Sequence, residues 1–354
     1  MIRSLLLDGG KLTDGVDPKD WKSASLRPGA VLWVDVEAPK RKTTKMLKDA
    51  FGFDDISLQD TLTFSLLPKF DAFTDYGFIV IHALAYDEAS GAITSRELDM
   101  FLGRGFIVTV HADPIAAVDK VFKEAQRADA VLARGAALVA HILMDRLIDL
   151  AYSMVSSFDD DIEQMEERIS TGQLDGIVEW TLRVRRQLLL MKKSIGPQRD
   201  VLNELARGDS PLISRDAAIH FRDDYDRLAR VYDQVDTNRE LVAAAAEGYR
   251  SMVSLRVAEV TLRMNAVIER LTLLATVLGV LTVVVGIYGT NFAGVWEYTV
   301  PGFLYALLAF MLVLTYFLWW FFRKKGWLQQ LEQAERQDFA RGALDDPKRP
   351  RGAP

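Results

Sequence analysis

Residues 271–296, LTLLATVLGVLTVVVGIYGTNFAGVW, and residues 298–322, YTVPGFLYALLAFMLVLTYFLWWFF, contain no charged side chain. Each stretch is longer than the roughly 20 apolar residues that an α-helix needs to cross a ~30 Å hydrocarbon core. One buried helix of a soluble protein can be this apolar, but two in tandem, each ending in charged residues, are typical of a membrane hairpin. The sequence therefore predicts a large domain in water followed by two transmembrane helices.

The charges that flank the two stretches indicate how the hairpin is oriented. Residues 323–354 contain eight Lys and Arg against five Asp and Glu, a balance of +3, and the whole chain is −6, so residues 1–322 carry −9. Basic residues stand at both outer ends of the hairpin, whereas the connecting loop holds the single charge of Glu297. Positively charged flanks stay in the cytoplasm. We therefore expect both termini inside the cell and the hairpin in the cell (inner or plasma) membrane.

The first third of the chain has the pattern of a mixed α/β domain. Four segments that are rich in β-branched and aromatic residues, and bounded by Gly, Pro or Asp, predict strands. They are residues 31–36, 77–86, 93–102 and 105–111. Helices are expected over residues 39–51 and 54–62, and hairpin turns at 87–91 and 103–105. The predicted sheet is mixed, with antiparallel strands at one side.

From Pro114 onward the strand signals stop and helical periodicity replaces them. Helices are expected over residues 115–134, 136–170, 178–207 and from 214 into the membrane. Residues 158–168 are strongly acidic, and a solvated helix face is the preferred interpretation over a metal-collecting surface. The chain has no cysteine, which excludes disulfides and thiolate metal sites.

The helix that enters the membrane carries an apolar seam. Its members alternate by four and three residues over more than three heptads, which predicts a coiled-coil type of packing. They are Val253, Val257, Val260, Met264, Val267, Leu271, Leu274 and Leu278. Since the seam begins among charged residues and continues into the first apolar stretch, we expect the stalk and the first span to form one continuous helix.

A second stripe lies about 100° around the same helix. All its members are small or polar except Ile268, and they are Ala258, Thr261, Asn265, Ile268, Thr272, Ala275, Gly279, Thr282 and Gly286. Small residues allow helices to pack closely in a membrane. Hydroxyl groups and exposed backbone can instead line a water-filled pore. The periodicity leaves both interpretations open, and a pore requires several copies because two helices cannot enclose one.

These stretches resemble the CorA family of divalent-cation channels, which are two-span proteins marked by a Gly-Met-Asn signature. The matching segments are residues 67–70 (LPKF), 75–80 (DYGFIV), 98–110 (LDMFLGRGFIVTV), 271–276 (LTLLAT), 286–292 (GIYGTNF) and 323–328 (RKKGWL). The resemblance covers nearly the whole chain, with departures. Thr290 stands in place of the signature Met, and Gly279 stands where the family has a second Met. The segment from Asp223 to Asn265 is longer than in the family by about two helical turns.

The resemblance implies a homopentameric funnel with an α/β N-terminal cytoplasmic domain, a long helical stalk and two C-terminal transmembrane helices. By position, residues 1–135 form the α/β domain, 136–270 the helical region and stalk, and 271–292 the first span ending in Gly-Thr-Asn. Residues 293–299 then form the external loop, 300–322 the second span, and 323–354 the basic cytoplasmic tail.

The resemblance also implies which residues form the sites. The selectivity filter falls on Gly289, Thr290 and Asn291. The pore lining falls on Asn265, Ile268, Leu271, Thr272, Ala275, Gly279, Thr282 and Gly286. Asp87 and Asp223 match carboxylates that in the family bind Mg2+ between subunits and hold the channel closed. A ring of Asn291 amides suits Mg2+, which gives up its water reluctantly and is held through its waters.

Two transport functions remain open. The first is a divalent-cation channel, chiefly for Mg2+ with Co2+ and Ni2+ also passing, in which Mg2+ is both transported and regulatory. The second is a Zn2+ transporter similar to ZntB. One version of this hypothesis couples zinc transport to proton movement. No position of the predicted lining is His or Cys, the ligands that Zn2+ recruits, which favours Mg2+ over Zn2+ or Co2+ as the main ion. The expected partners are copies of the chain, the lipid bilayer and divalent metal ions, and not nucleic acid.

Other function classes receive little support from the sequence. A membrane-anchored scaffold without conduction is the non-transport alternative, because Thr290 alters the signature. An enzyme is not expected, since the four histidines (His82, His111, His141 and His220) are scattered along the sequence and no nucleophile–base arrangement is suggested.

Overall fold

The computed structural model describes residues 1–65, 67–87, 91–289 and 302–324. The chain divides into two compact units, Met1–Met252 and Val253–Pro354. One helix, α7 (Arg215–Gly289), contributes residues to both units. The predicted continuous helix from stalk to first span is therefore confirmed.

The first unit is built on a seven-stranded mixed sheet. Its strands in chain order are β1 (Ile2–Asp8), β2 (Lys11–Asp14), β3 (Val31–Glu37), β4 (Lys69–Ala72), β5 (Tyr76–Asp87), β6 (Ala92–Gly103) and β7 (Phe106–His111). They lie side by side in the order β2-β1-β3-β7-β6-β5-β4. In the described sheet β3 and β7 are parallel and the other neighbours are antiparallel. The predicted mixed sheet, with strands β3, β5, β6 and β7, is confirmed.

Three strands were not predicted, and each gives a weak signal in the sequence. β2 and β4 have four residues each and lie at the two edges of the sheet, where no alternation can be recognised. β1 contains a run of three leucines, Leu5 to Leu7, all of them buried. So short an apolar run fits a strand or a helix equally well.

Helices cover both faces of the sheet. One face is covered by α1 (Trp21–Ser25), α2 (Arg41–Phe51) and α3 (Asp55–Asp60), and the other by α4 (Ala116–Arg127), α5 (Ala136–Ser170), α6 (Ile177–Arg207) and the first half of α7. The predicted helix 115–134 is instead α4 followed by a separate 3-10 turn at Leu132–Arg134. The predicted helix 54–62 is shorter, because Asp54 caps α3 by accepting a hydrogen bond from the Ile56 amide (2.8 Å) and the helix ends at Asp60.

The sheet separates two hydrophobic cores. Along β5, Ile79 and Ile81 point into the core beneath α4 to α7, whereas Phe78 and Val80 point into the core beneath α1 to α3. Because both faces are buried, the central strands are apolar almost throughout. The tight turn at 103–105 closes against α1, and a Cβ on Gly105 would lie 2.6 Å from the carbonyl oxygen of Ser25. That glycine is therefore required for close packing.

The second unit contains the end of α7 and α8 (Phe303–Lys324). In the most apolar stretch of α7, 0 % of the residues are buried, and in that of α8 the buried share is 6 %. A core helix of a soluble protein would be mostly buried, so both helices have the length, composition and exposure of membrane spans. The bounds predicted for the two spans, the external loop and the tail stay predictions. Residues 290–301 and 325–354 lie outside the described residues.

Candidate functional site

The apolar seam of α7 is uncovered in the single chain. Val257, Val260, Met264, Val267, Leu271, Leu274 and Leu278 are between 54 and 62 % exposed. Side chains of this size are normally buried when they recur at heptad spacing, because each then fills a hole between the side chains of a neighbouring helix. The seam is therefore a packing surface without its partner.

The small and polar stripe is exposed as well. The eight residues predicted to line a pore lie on α7 and are exposed. Leu271 belongs to the seam, and the other seven belong to the stripe: Asn265, Ile268, Thr272, Ala275, Gly279, Thr282 and Gly286. Within residues 271–287 the partly shielded residues lie on the far side of the helix, and they are Leu273, Val277, Val280, Leu281 and Val284. The seam and the stripe thus occupy adjacent faces that the chain itself leaves open.

The threonine hydroxyls along this helix donate to their own backbone. Thr272 Oγ1 donates to the Ile268 carbonyl (2.8 Å) and Thr282 Oγ1 donates to the Leu278 carbonyl (2.7 Å). The hydroxyl proton is therefore used inside the helix. What each threonine offers outward is its oxygen lone pairs, which can accept hydrogen bonds from the water shell of a cation. A hydrogen bond of Thr282 to its own helix is thus compatible with a role toward an ion.

The predicted selectivity filter is only partly described. Gly289 is the last residue of α7, and Thr290 and Asn291 lie outside the described residues. Their role remains a prediction from the resemblance.

The two predicted regulatory carboxylates lie on different elements of the first unit. Asp87 is the last residue of β5, pairs with Ala92 of β6 and is half-buried. Asp223 is exposed on α7. The resemblance implies that these carboxylates act between subunits, and their pairing across two copies stays a prediction.

A buried carboxylate next to Asp223 was missed by the sequence analysis. Asp224 is 0 % exposed and accepts a hydrogen bond from His141 Nδ1 of α5 (2.7 Å), and its Oδ1 has no partner among the described residues. Burial raises the pKa of Asp224, while the His141 bond opposes that effect. The ring of His220 lies 4.8 Å from that of His141. The histidines are scattered in sequence, so only the helical register of α5 against α7 could have indicated this contact.

The acidic segment 158–168 behaves as a solvated face. Asp159, Asp160, Glu163, Glu166 and Glu167 are exposed, while Phe158, Ile162 and Met165 are buried. Among the described residues, no three His, Asp or Glu side chains are arranged to hold a metal ion. Within one chain the described carboxylates therefore form no ready-made metal cage.

These features define a class of protein: a membrane-spanning chain whose first span presents an apolar seam beside a small and polar stripe, both open for further helices. Comparison with known proteins agrees with this class. The family described as CorA-like Mg2+ transporter protein matches residues 28–324. The chain belongs to this family of divalent-cation transporters, so the resemblance seen in the sequence is confirmed. Proteins of this family are transporters and channels rather than enzymes.

Individual relatives point to more than one ion. The cobalt/magnesium transport protein CorA of Thermotoga maritima is 29 % identical over 303 residues, covering 84 % of this chain and 83 % of the relative. The zinc transport protein ZntB of Photorhabdus laumondii is 22 % identical over 316 residues, covering 89 % and 93 %. The solved structure of the CorA magnesium transporter from Methanocaldococcus jannaschii matches with a TM-score of 0.66 and 23 % identity, over 92 % of this chain and 98 % of that one. That likeness shows the shared fold: an α/β domain, a long helix and two C-terminal apolar helices.

The exposed stripe predicts a strong dependence of ion flux on side-chain volume. Gly279→Leu places a bulky side chain on the stripe, and we expect cation uptake into proteoliposomes to fall by roughly tenfold or more, equivalent to a barrier of ~1.4 kcal/mol. Val280→Leu adds a single methylene one residue further, on the partly shielded face, and should leave uptake within about twofold of wild type. Equal uptake by the two variants, both with normal assembly on a sizing column, would show that the stripe does not face the ions.

Proposed function

We propose that the chain forms a homopentameric channel that moves hydrated divalent cations, chiefly Mg2+, across the cell membrane. The observation that carries this proposal is the adjacency, on one exposed helix, of an apolar seam and a stripe of small and polar residues. The seam supplies contacts between copies and the stripe supplies an uncharged lining. Five copies are what the family resemblance implies.

The upper part of the seam supports self-association most directly. Four residues of the seam precede the uncharged stretch and stand among charged residues such as Arg263: Val257, Val260, Met264 and Val267. Because charged residues surround them, we do not expect lipid chains to bury them. Full burial of an aliphatic side chain stabilises by roughly 1.5–3 kcal/mol. Each of these four is more than half exposed, and packing them against other copies would contribute several kcal/mol for every chain. A second copy offers the same spacing and is the simplest complementary surface.

The chemistry of the stripe supports a weakly binding path for hydrated Mg2+. Asn265, Thr272 and Thr282 present neutral oxygen atoms, Ala275 and Gly279 lie between the two threonines, and Ile268 lies between Asn265 and Thr272. Mg2+ releases its waters reluctantly, so neutral acceptors that bind those waters hold the ion less tightly than carboxylates would. Conduction requires binding that an ion can leave as well as enter. At the outer mouth we assign the same role to the proposed filter, Gly289, Thr290 and Asn291, which would bind the waters of Mg2+ through neutral oxygen atoms.

The proposed orientation places both termini in the cytoplasm. It is supported by the basic residues at both outer ends of the hairpin, including Arg270 before the first span and Arg323 and Lys324 at the end of α8. Basic flanks are retained on the cytoplasmic side. Mg2+ that enters through the channel would then reach the same compartment as the first unit.

A zinc transporter similar to ZntB is the second candidate, supported by the relative from Photorhabdus laumondii. The composition of the lining argues against selective zinc binding there, because it contains neither His nor Cys. A hydrated Zn2+ ion could still pass a neutral lining. Thr290 is shorter and more polar than the signature Met, so we expect weak discrimination among hydrated divalent ions.

Ion identity is tested by competitive uptake into proteoliposomes that contain the purified full-length chain. We expect Mg2+ uptake with weak selectivity over Co2+ and Zn2+, so that millimolar Mg2+ suppresses uptake of the other two ions by roughly tenfold. Liposomes with Asn291→Ala serve as the control for leakage, and this variant should assemble normally without uptake. Robust Zn2+ uptake that millimolar Mg2+ fails to inhibit would overturn the magnesium assignment in favour of the zinc transporter.

The proposed regulatory role of Asp87 and Asp223 predicts protection of the closed state by Mg2+. Carboxylates that face each other repel until a cation bridges them, so Mg2+ should slow proteolysis of the full-length chain. At a concentration of about 100 times the dissociation constant, the protection is expected to approach ~100-fold. Replacing both residues by Asn should remove most of it.

A matched control separates this effect from a general loss of charge. Asp75→Asn with Asp226→Asn removes two exposed carboxylates from the same unit, and Mg2+ protection should persist in that variant. If protection survives in the Asp87 and Asp223 variant as well, these residues do not form the site. The acidic segment 158–168 then becomes the next candidate.

A further inference from the structure

A pair of carboxyl groups on β6 lies apart from every residue assigned to ion transport. Glu97 and Asp99 are two positions apart on one strand, so their side chains point to the same face of the sheet. Asp99 is 2 % exposed, and its Oδ1 has no hydrogen-bond partner among the described residues. Two acceptor groups placed together in a buried position need a proton or a cation between them.

The surrounding charges favour a proton. Lys69, on the edge strand β4, is the nearest cation, but its ammonium is shared between Asp60 and Asp71, at 2.8 Å from each. His82 stands directly opposite Glu97 on β5 and burial lowers the pKa of its ring, so it adds no positive charge near neutrality. On β7 the residue opposite Asp99 is Val110, which carries no charge. No group of three ligands for a metal ion exists among the described residues.

A shared proton also fits the behaviour of the pair itself. Glu97 and Asp99 project from the same face of β6, and a hydrogen bond between them requires a proton, because two ionised carboxylates have no donor. Burial, followed by the neighbouring charge of Glu97, raises the pKa of Asp99 well above its ordinary value. Burial also raises the pKa of Glu97.

The same pair is tied to the segment that leaves α3. The amide of Ser65 donates to Glu97 Oε2, and His82 Nε2 donates to the Ser65 carbonyl (2.9 Å). Phe64 stacks on the His82 ring with centroids 5.2 Å apart. This segment exposes Leu62 and Phe64, which are 37 and 55 % exposed, at the β4 edge of the sheet. Glu97 therefore links the buried carboxyl group of Asp99 to the surface segment that carries Leu62 and Phe64.

We propose that Glu97 and Asp99 form a proton-binding site whose single shared proton keeps residues 61–65 docked on the sheet. With the proton in place, Glu97 stays beside Asp99 and accepts from the Ser65 amide. When the proton leaves to solvent, two negative charges face each other beside Asp60. Glu97 then turns toward water and releases Ser65 together with Phe64. The proton thus regulates exposure of an apolar edge of the unit, independently of the proposed ion path.

The direction of the pH dependence follows from the sign of the shift. A carboxyl whose pKa is raised by folding binds its proton more tightly in the folded state. Its contribution to stability is complete below its ordinary pKa and is lost as the pH rises through the raised value. Docking of residues 61–65 should therefore weaken as the pH rises, by up to about tenfold in the opening equilibrium for each pH unit between the ordinary and the raised pKa, and the change should level off above the raised pKa.

Hydrogen exchange followed by mass spectrometry on the full-length chain between about pH 5 and pH 9 tests this proposal. Protection factors, corrected for the intrinsic pH dependence of exchange, should fall with pH for residues 61–65 of the wild type. Asp99→Asn supplies an amide that donates to Glu97, and Glu97→Gln supplies one that donates to Asp99, so both variants mimic the protonated pair. In both, protection should stay constant across the range.

Asp71→Asn is the matched control, because it removes a half-exposed carboxylate from the same cluster without touching the pair. It should retain the pH dependence of the wild type. Constant protection in the wild type, or an equal fall with pH in the wild type and in Glu97→Gln, would overturn the proposal. Since Glu97 is only half-buried, its glutamine variant decides the question even if Asp99→Asn fails to fold.

Discussion

The exposed seam of α7 is the constraint on which the rest of the interpretation depends. Large apolar side chains recur at heptad spacing and remain more than half exposed, first among charged residues and then in the uncharged stretch. Water is an unfavourable environment for the upper part of the seam, and the hydrophobic effect favours any arrangement that covers it. Association of like helices satisfies the seam, and the small and polar stripe on the adjacent face is then available to line a space between copies. Because the chain belongs to a family of divalent-cation transporters, divalent cations are the ions that we propose for that space.

The first unit holds the beginning of α7 by two kinds of contact. Phe221, Leu228 and Val231 lie in the core beneath the sheet. Arg227 bridges Asp145 and Asp149 of α5, and Asp224 is paired with His141 one turn away. Removing one partner of a buried polar pair is costly, because the other is left unpaired. A change in the position of α7 would therefore have to break several contacts together, which suits a helix that responds to a ligand as a whole.

The sequence predicted the parts of this protein that have strong periodicity. The two spans, the long helices α5 to α7 and the central strands could be recognised because each repeats one pattern over many residues. β2, β4 and α1 were missed because four- or five-residue elements at an edge or surface carry too little pattern. Helical spacing placed the small and polar stripe on one face of α7, and the assignment of a pore lining to eight positions rests on the family resemblance. The contacts of Asp224 with His141 and of Glu97 with the Ser65 amide could not be predicted, because each joins residues far apart in the chain. The roles of Thr290 and Asn291 rest on the family resemblance.

The absence of cysteine from the sequence makes the central claim directly accessible to measurement. Single cysteines can be introduced along the membrane part of α7 in proteoliposomes and exposed to a water-soluble, membrane-impermeant thiol reagent. The account predicts that Ala275→Cys and Thr282→Cys react and lose cation uptake on modification, whereas Leu274→Cys and Val280→Cys remain unmodified. Reaction at Leu274→Cys with none at Ala275→Cys or Thr282→Cys would contradict it, because the stripe would then be buried between helices and the ions would follow another path.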